Sequence, residues 1–284
     1  MELLEIKDIS KWKIDNEKTA SGTREKHWVK HPETGQLYLF KLPKAGTGEI
    51  WAEKIAAGVG TILGLETMDT EIAIYEGEQG ILLKNFVEYG KEELFHGGDL
   101  LQPVVEEFDP RTLDDYNLDN IMQSLIPFNM EENFISICVF DALIANQDRH
   151  CENWGVIQRM GDVRFAPIYD NGASMGFNVA EEVIMACLKD EVRFKAFTNR
   201  SKTIIEVNGK RKPKIITLLD ELKKRYPTYM QQNIEHISNL CYDNLLPVID
   251  EVPHCIMSSN YKKWVVKLLL YRAKWLEQWY KGAV

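Results

Sequence analysis

The sequence predicts a mixed α/β (α+β) protein with a strand-rich first part and a helical remainder. Short apolar runs bounded by turn residues dominate before residue 90, whereas helical spacing of apolar residues prevails after it. A chain of 284 residues that is 45% hydrophobic can bury a substantial core, so one large domain or two lobes fit its length. We therefore expect an N-terminal unit over residues 1–88 and a C-terminal unit over residues 89–284.

Three strands and one helix are predicted in the N-terminal unit. The strands are GQLYLFKL at residues 35–42, EIAIYE at 71–76 and GILLKNF at 80–86. The helix runs from about Glu49 to Leu63, and Gly64 behind it is a common C-terminal signal.

The C-terminal unit is predicted to carry a buried helix, then a hairpin, then helices to its end. Asn129, with Glu132 three residues on, resembles an N-terminal cap, and an apolar stripe leads from there to Asp148. GVIQ and VRFAPI alternate around residues 160–162, which predicts a hairpin with Asp170 after its second strand. The acidic stretch at residues 106–120 is expected to be a solvated loop or insert.

The last helix, from about Ser259 to Tyr280, repeats large aromatic residues at helical spacing. Such a stripe could line a ligand groove, but core packing is the simpler interpretation and the one we adopt.

Charge and composition exclude several functions. The net charge of −9 and pI near 5.3 argue against a general nucleic-acid binder, which needs a basic face. Five cysteines without a C-x-x-C pair suggest neither a disulfide framework nor a zinc site. No stretch reaches 18 uncharged apolar residues, and no signal peptide is evident. We expect a cytoplasmic protein without membrane partners.

The string ANQDRHCENWG, residues 145–155, is the most informative motif. Asp148 and Asn153 stand five positions apart, which is the spacing of the protein-kinase loop H-R-D-x-x-x-x-N. In that loop the aspartate accepts the proton of the attacking hydroxyl and the asparagine holds magnesium. Alone, Asp148 could equally be an ordinary turn residue.

A second metal ligand is predicted beyond the hairpin. In FAPIYDNG, Asp170, Asn171 and Gly172 form a D-x-G where protein kinases carry D-F-G. Because the hairpin folds back toward the loop, Asn153 and Asp170 are expected to converge on one magnesium ion.

The N-terminal unit offers groups that could bind nucleotide phosphates. In TASGTREK, residues 19–26, we expect Ser21, Gly22, Thr23 and Lys26 to wrap phosphate oxygens, although an ordinary polar turn is the alternative. Lys41 lies in the apolar strand YLFKLP, where its ammonium needs a cleft or a carboxylate.

A carboxylate partner for Lys41 is expected on the following helix. Glu49 and Glu53 share one face of it, and we favour Glu53; a solvated helix surface is the alternative for both.

Taken in order, these segments resemble the C-terminal kinase portion of the HipA-type serine/threonine kinases. The likeness runs from about residue 19 to at least 180, with N-x-D-R-H-x-x-N at 146–153 and A-P-x-Y-D at 166–170 as its most specific parts. It implies a bilobal protein-kinase-like fold with a small β-rich N-lobe, a larger helical C-lobe and ATP in the cleft. Asp148 would be the base, and Asn153 with Asp170 would hold Mg²⁺.

The resemblance implies further features. Phe86, Val87, Glu88 and Tyr89 would form the hinge beside adenine, and a serine or threonine in the phosphate loop would be self-phosphorylated. Thr19 matches that position most closely, with Ser21 as the alternative. The toxin members of the family often use an extra N-terminal domain with an antitoxin, so the resemblance leaves room for a separate small antitoxin-like or regulatory partner.

Two other functions stay open on the residues alone. Phosphoinositide kinases also use a D-R-H-x-x-N loop, with the histidine close to the reacting phosphate, and His150 keeps that alternative. A nucleotide-binding pseudokinase or interaction module is the other. We favour transfer to an unidentified protein substrate, because no basic amphipathic helix suggests a membrane.

Residues 192–214 are the basic exception in an acidic chain. The segment carries eight lysines and arginines against Glu206, with a turn signal at Asn208-Gly209. A solvated hairpin and a docking site for an acidic substrate or partner are equally weighted interpretations.

Overall fold

The computed structural model of the chain describes residues 6–15 and 25–283. The predicted phosphate-loop residues Ser21, Gly22 and Thr23, and the predicted regulatory residue Thr19, lie outside the described residues.

The described N-terminal residues form one six-stranded sheet with one long helix against it. The strand order is β1-β5-β6-β4-β3-β2, antiparallel throughout except for the parallel pair β1–β5. The helix α1 (Glu49–Ile62) connects β4 to β5. The strands are β1 (Lys7–Asp8), β2 (Lys13–Ile14), β3 (Lys26–Lys30), β4 (Leu37–Lys41), β5 (Thr70–Tyr75) and β6 (Glu78–Lys84).

All four predicted N-terminal elements are therefore confirmed, each within two residues of its expected bounds. The end of α1 shows the expected chemistry, because Gly64 takes a φ of +73° and the N–H of Leu65 donates back to the Gly60 carbonyl.

Alternation along β4 separates a core face from a cleft face. Phe40 is buried in an apolar cluster on one side of the sheet with Ile9, Val29 and Leu82. Leu39 and Lys41 point the other way, as the period of two in a strand requires.

The rest of the chain is mainly helical around a second, three-stranded sheet of order β7-β8-β9. Its strands are β7 (Glu93–His96), β8 (Gly155–Arg159) and β9 (Asp162–Phe165). The predicted hairpin is β8–β9. The helices are α2 (Gly97–Leu101), α3 (Leu118–Leu125), α4 (Glu131–Ile144), α5 (Glu181–Lys189), α6 (Glu191–Thr198), α7 (Ile215–Arg225), α8 (Pro227–Ile237), α9 (Tyr242–Asp250) and α10 (Ser259–Tyr280).

One local prediction is wrong, and another holds only in part. The helix α4 begins at Glu131 after Met130, and Asn129 has a left-handed backbone with φ of 55° that ends a short 3-10 turn, so it does not cap α4. The acidic stretch at 106–120 is not a purely solvated loop, since Phe108 and Tyr116 in it are buried. Net charge cannot reveal which single side chains of a loop turn inward.

The aromatic residues of α10 pack in the core, as predicted. Trp264 is fully buried and its ring N–H donates to the Met175 carbonyl at 2.9 Å, while Trp279 is almost fully buried. In the described part of the chain, none of the helices combines the length and apolar character needed to cross a membrane.

The architecture is bilobal, with a small β-rich lobe and a larger helical lobe. The helix α1 belongs to the small lobe in sequence, yet Trp51, Ile55 and Val59 on it enter the large core of the helical lobe. This packing fixes the two lobes against each other and leaves a cleft between the sheet and the loops of the helical lobe. The domain boundary at residue 88 stays a prediction.

Candidate active site

The cleft between the lobes holds a cavity of about 500 Å³, within the range usual for small-molecule sites. Its upper wall is the cleft face of β3, β4 and β6. Its lower wall comes from β7, from the loop of residues 146–153, here called the DRH loop, and from the segment after β9. The upper wall includes Lys26, Trp28, Leu39, Lys41 and Leu83, and the lower wall His96, Glu152, Asn153, Tyr169 and Asp170.

Two lysines lie side by side on the upper wall. Lys26 and Lys41 are directly paired across β3 and β4, so both side chains leave the sheet on the cleft face. Burial and the charge of Lys41 lower the pKa of Lys26. The upper wall therefore concentrates positive charge that a polyanion would relieve.

Lys41 pairs with the D-x-G aspartate and not with the helix. Its ammonium donates to the Asp170 carboxylate at 2.8 Å, across 129 residues of sequence. The expected pair with Glu53 does not form in the described structure, and this prediction is wrong as stated. Glu49 instead accepts the backbone N–H of Lys44 at 2.9 Å. Asp170 is the better partner because it faces the cleft, whereas Glu53 is buried beneath it.

The pKa values of the neighbouring carboxyl groups of Glu53 and Asp170 are shifted in opposite directions. Burial, with a further contribution from the Asp170 charge, raises the pKa of Glu53 to about 7. Burial also acts to raise the pKa of Asp170, but the Lys41 ammonium outweighs it and holds that pKa below its ordinary value. Near neutral pH, Asp170 is therefore ionised while Glu53 stays partly protonated.

The DRH loop is held by its own hydrogen bonds. The helix α4 ends at Ile144, and the φ of 56° at the next residue, Ala145, turns the chain sharply. The Asp148 N–H donates to the Asn146 side chain at 3.1 Å, and the Asn153 amide donates to the Asp148 carbonyl at 3.0 Å. Asn153 lines the cavity, and with its amide nitrogen engaged in this bond its amide oxygen remains available as an acceptor or metal ligand.

Asp148 and His150 stand beside the cavity and are not part of its wall. Asp148 is exposed, and among the described residues its carboxylate accepts no hydrogen bond. Nδ1 of His150 accepts the Glu152 N–H at 3.4 Å and lies 3.5 Å from the Cys151 sulfur, so the ring is turned against its own loop.

Arg149, for which the sequence predicts no role, connects the DRH loop to the D-x-G segment. It is 2% exposed and forms a two-pronged pair with Asp141 of α4, at 2.7 and 3.0 Å. It also donates to the carbonyls of Asn153 and Tyr169 and to the Asn171 side chain, at 2.7–2.9 Å. Burial alone would lower the pKa of Arg149, but Asp141 raises it above its ordinary value, so the guanidinium stays charged.

A signal for this connection exists in the sequence. Asp141 is the only acid between Phe134 and Ile144, and a carboxylate inside such an apolar helix requires a cationic partner. Tyr116 carries no such signal: it is buried in the acidic loop, where its hydroxyl donates to the Arg149 carbonyl at 2.8 Å and accepts the Trp154 ring N–H at 2.9 Å.

Two of the four predicted hinge residues, Phe86 and Val87, line the cavity, whereas Tyr89 lines a neighbouring surface pocket. The ring of Phe86 lies 5.5 Å from that of Tyr169. The Val87 N–H is bonded to the Asn85 side chain at 3.3 Å. Glu88 lines the same surface pocket as Tyr89, and its N–H donates to Glu92 at 2.8 Å.

The donor set fits magnesium bound together with a nucleotide. Among the described residues no three His, Cys, Asp or Glu side chains gather as a ready-made metal centre. Asp170 and Asn153 both line the cavity, and carboxylate and amide oxygens are the hard ligands that Mg²⁺ accepts. Mg²⁺ commonly takes one or two protein oxygens and completes its shell with phosphates and water.

Comparison with known proteins extends these observations. A model of the HipA-like C-terminal domain matches residues 18–230. The serine/threonine-protein kinase CtkA of Helicobacter pylori is 24% identical over 165 residues, which are 52% of this chain and 50% of CtkA. The chain thus spans about half the length of that curated relative.

Solved structures share the fold. A crystal structure of a Helicobacter pylori proinflammatory kinase CtkA aligns with a TM-score of 0.83 at 20% identity, over 99% of this chain and 100% of that one. HipA of Shewanella oneidensis MR-1, solved with HipB and operator DNA, aligns with a TM-score of 0.64 at 12% identity, over 93% of this chain and 66% of that one.

Proposed function

Because the chain belongs to the HipA-like C-terminal domain family, we propose that it is a serine/threonine protein kinase that uses ATP and Mg²⁺. The observation that carries this proposal is the meeting of Lys41, Asp170 and Asn153 in one cleft, with Asn153 bonded to the backbone of Asp148. A lysine, two metal ligands and a base are the groups that protein kinases use together for phosphoryl transfer.

In this proposal Asp148 is the catalytic base. Its exposed carboxylate accepts the proton of a substrate serine or threonine hydroxyl. The hydroxyl oxygen forms a bond to the γ-phosphorus of ATP as the bond between that phosphorus and the β,γ-bridging oxygen breaks, so that ADP leaves with the bonding electrons. The proton resides on Asp148 and is then lost to solvent. A catalytic part for His150 stays a prediction.

Asp170 and Asn153 would hold Mg²⁺, which neutralises phosphate charge and aligns the γ-phosphate. In the structure the Asp170 carboxylate already bonds to the Lys41 ammonium, so one carboxylate can orient both the metal and the lysine. Lys26 and Lys41 would contact phosphate oxygens from above, together with Ser21, Gly22 and Thr23. The adenine ring of ATP would lie against Phe86 and Val87. For Glu88, a contact with adenine stays a prediction.

Glu53 takes a supporting part in the proposal. The backbone N–H of Asn171, next to Asp170, acts to lower the pKa of the buried Glu53 carboxyl. The Glu53 carboxyl also lies close to Gly172, which brings α1 against the D-x-G turn. It would thereby set the direction of Asp170 without touching the nucleotide.

We further propose self-phosphorylation at Thr19, or at Ser21, as an inactivating step. A phosphate there adds nearly two negative charges where the nucleotide's own phosphates must bind. Mass spectrometry after incubation with Mg-ATP tests this: a preparation that labels other proteins but carries no phosphate between Thr19 and Thr23 would contradict it.

The place of action is proposed to be the cytoplasm, which the five free cysteines support. A separate small regulatory partner also stays a proposal, and the HipB in the Shewanella structure is a partner of that protein.

The experiment that tests the function is transfer of labelled phosphate from γ-labelled ATP with Mg²⁺. Reactions would contain a cell lysate, phosphatidylinositol vesicles, or the protein alone. The proposal predicts label on serine and threonine of protein, and its loss with EDTA. Label on lipid alone would favour a lipid kinase, and Mg-ATP binding without any transfer would favour a pseudokinase.

A further inference from the structure

The basic segment identified in the sequence lies beside the DRH loop. The backbone N–H of Lys202 donates to the side chain of Gln147, the residue before Asp148, at 3.3 Å. Lys202 also forms an isolated antiparallel bridge with Lys214, so two exposed lysines stand next to each other at this point. Directly opposed like charges repel, and an anion between them removes that repulsion.

Buried contacts fix this segment relative to the loop. The guanidinium of Arg272, in α10, donates to the Ala142 carbonyl of α4 and, at 2.9 Å, to the Thr198 carbonyl and the Ser201 hydroxyl. Further along, the Glu206 N–H donates to the Tyr116 carbonyl at 3.0 Å, under the DRH loop. Hydrogen bonds therefore hold the basic segment against the helical lobe, so it is not a free hairpin.

Most of the positive charge of the basic segment is not neutralised by ion pairs within the described structure. Of the eight cations in the segment, Lys195 pairs with Glu191, and Arg211 pairs with Asp114 and Glu206. In the described structure the other six form no ion pair, and all are exposed. These six are Arg193, Arg200, Lys202, Lys210, Lys212 and Lys214.

From this placement we infer that the surface of residues 199–214 docks an acidic stretch of the protein substrate next to the serine or threonine that Asp148 deprotonates. The inference rests on the proposed function and adds a substrate class to it. Lys202 and Lys214 contact carboxylates within a few residues of the acceptor, and Lys210 and Lys212 at the Asn208-Gly209 turn extend the surface. Charge complementarity selects the substrate, while the chemistry stays with the cleft.

A binding assay tests the inference without requiring catalysis. Two degenerate fluorescent peptide pools with a central serine are compared, one with Asp and Glu at the flanks and one with Asn and Gln. Anisotropy with the wild-type protein is expected to show tighter binding of the acidic pool. Lys202→Gln with Lys214→Gln should weaken that binding about three- to tenfold, as expected for two exposed charge contacts.

The matched control is Lys224→Gln with Lys281→Gln. Lys224 lies in the last turn of α7, whose 11 residues span about 16 Å. Lys281 follows α10 and lies near that end of α7, because the Lys223 ammonium donates to the Tyr280 carbonyl at 2.7 Å. Both lysines are exposed, and the two substitutions remove the same charge as the test variant. The control should bind the acidic pool like the wild type. Equal affinity for both pools, or equal losses in both double variants, would overturn the inference. The inference would also be overturned if an RNA oligomer displaced the acidic pool, bound more tightly than that pool, and lost its affinity in the Lys202/Lys214 variant.

Kinetics separate this inference from the proposed function. If phosphate is transferred, the Lys202/Lys214 variant should raise the KM for the acidic pool, with kcat and the KM for ATP unchanged. If no peptide is phosphorylated but acid-selective binding persists, the kinase proposal fails and the docking surface stands. If transfer proceeds equally on both pools, the docking surface fails and the kinase proposal stands.

Discussion

Replacing Asp141 by asparagine tests the buried pair that connects the two motifs. Asp141 and Arg149 are both almost fully buried, and the guanidinium also holds the Asn153 and Tyr169 carbonyls. Asparagine keeps the shape but leaves Arg149 charged without a counter-ion. Removing one partner of a buried ion pair costs about 3–5 kcal/mol. Total stabilities of folded proteins are about 5–15 kcal/mol, so this is a large fraction.

The assay is unfolding followed by circular dichroism, with temperature and with urea. A loss of this size predicts a fall in Tm of roughly 6–20 °C, taking 2–4 °C per kcal/mol for a chain of this scale. Asp69→Asn is the control, because it removes a carboxylate from an exposed pair with Lys84 and should cost less than about 1 kcal/mol. Equal small losses in the two variants would refute a structural part for the Arg149 cluster.

Two further predictions concern stability. Glu53, with its pKa raised to about 7, makes the fold most stable below its unfolded value of 4.5, and this contribution is lost as the pH rises through 7. Glu53→Gln should flatten that part of a stability–pH profile by up to roughly 3 kcal/mol, and an unchanged slope would contradict the assignment. Gly155→Ala should cost about 1–3 kcal/mol in urea unfolding, because its Cβ would meet the Phe95 carbonyl oxygen at 2.2 Å. Gly98→Ala, with no atom nearer than 3.4 Å, should cost nothing; comparable losses would contradict the close approach.

Local patterns predicted the elements that depend on neighbouring residues. The strand around Lys41, the helix α1 ending before Gly64 and the β8–β9 hairpin follow from alternation, helical spacing and turn chemistry. The D-x-G and the DRH loop are predicted by spacing, because such motifs keep their functional side chains within a few residues of one another. The prediction that Asn129 caps α4 is wrong because asparagine is favoured both at helix N-caps and at left-handed turn positions.

Contacts between distant parts of the chain could not be predicted in this way. The pair of Lys41 with Asp170 depends on how the two lobes pack against each other. On the sequence alone, helical periodicity makes Glu53 an equally good candidate for the partner of Lys41. Tyr116 donates to the carbonyl of Arg149, 33 positions away under the DRH loop. Arg272 joins α4 to the basic segment, and its partner Ala142 lies 130 positions away. Only the folded chain brings their polar groups together.

The most direct measurement is phosphate transfer and Mg-ATP affinity for Asp148→Asn beside Asp170→Ala. The account predicts that Asp148→Asn abolishes transfer while Mg-ATP binds as in the wild type, because the base acts on the incoming hydroxyl. Asp170→Ala should lose transfer and also weaken Mg-ATP binding, because a metal ligand is removed. Wild-type turnover in a folded Asp148→Asn protein, or unchanged Mg-ATP affinity in Asp170→Ala, would contradict the assignment of this cleft as the active site.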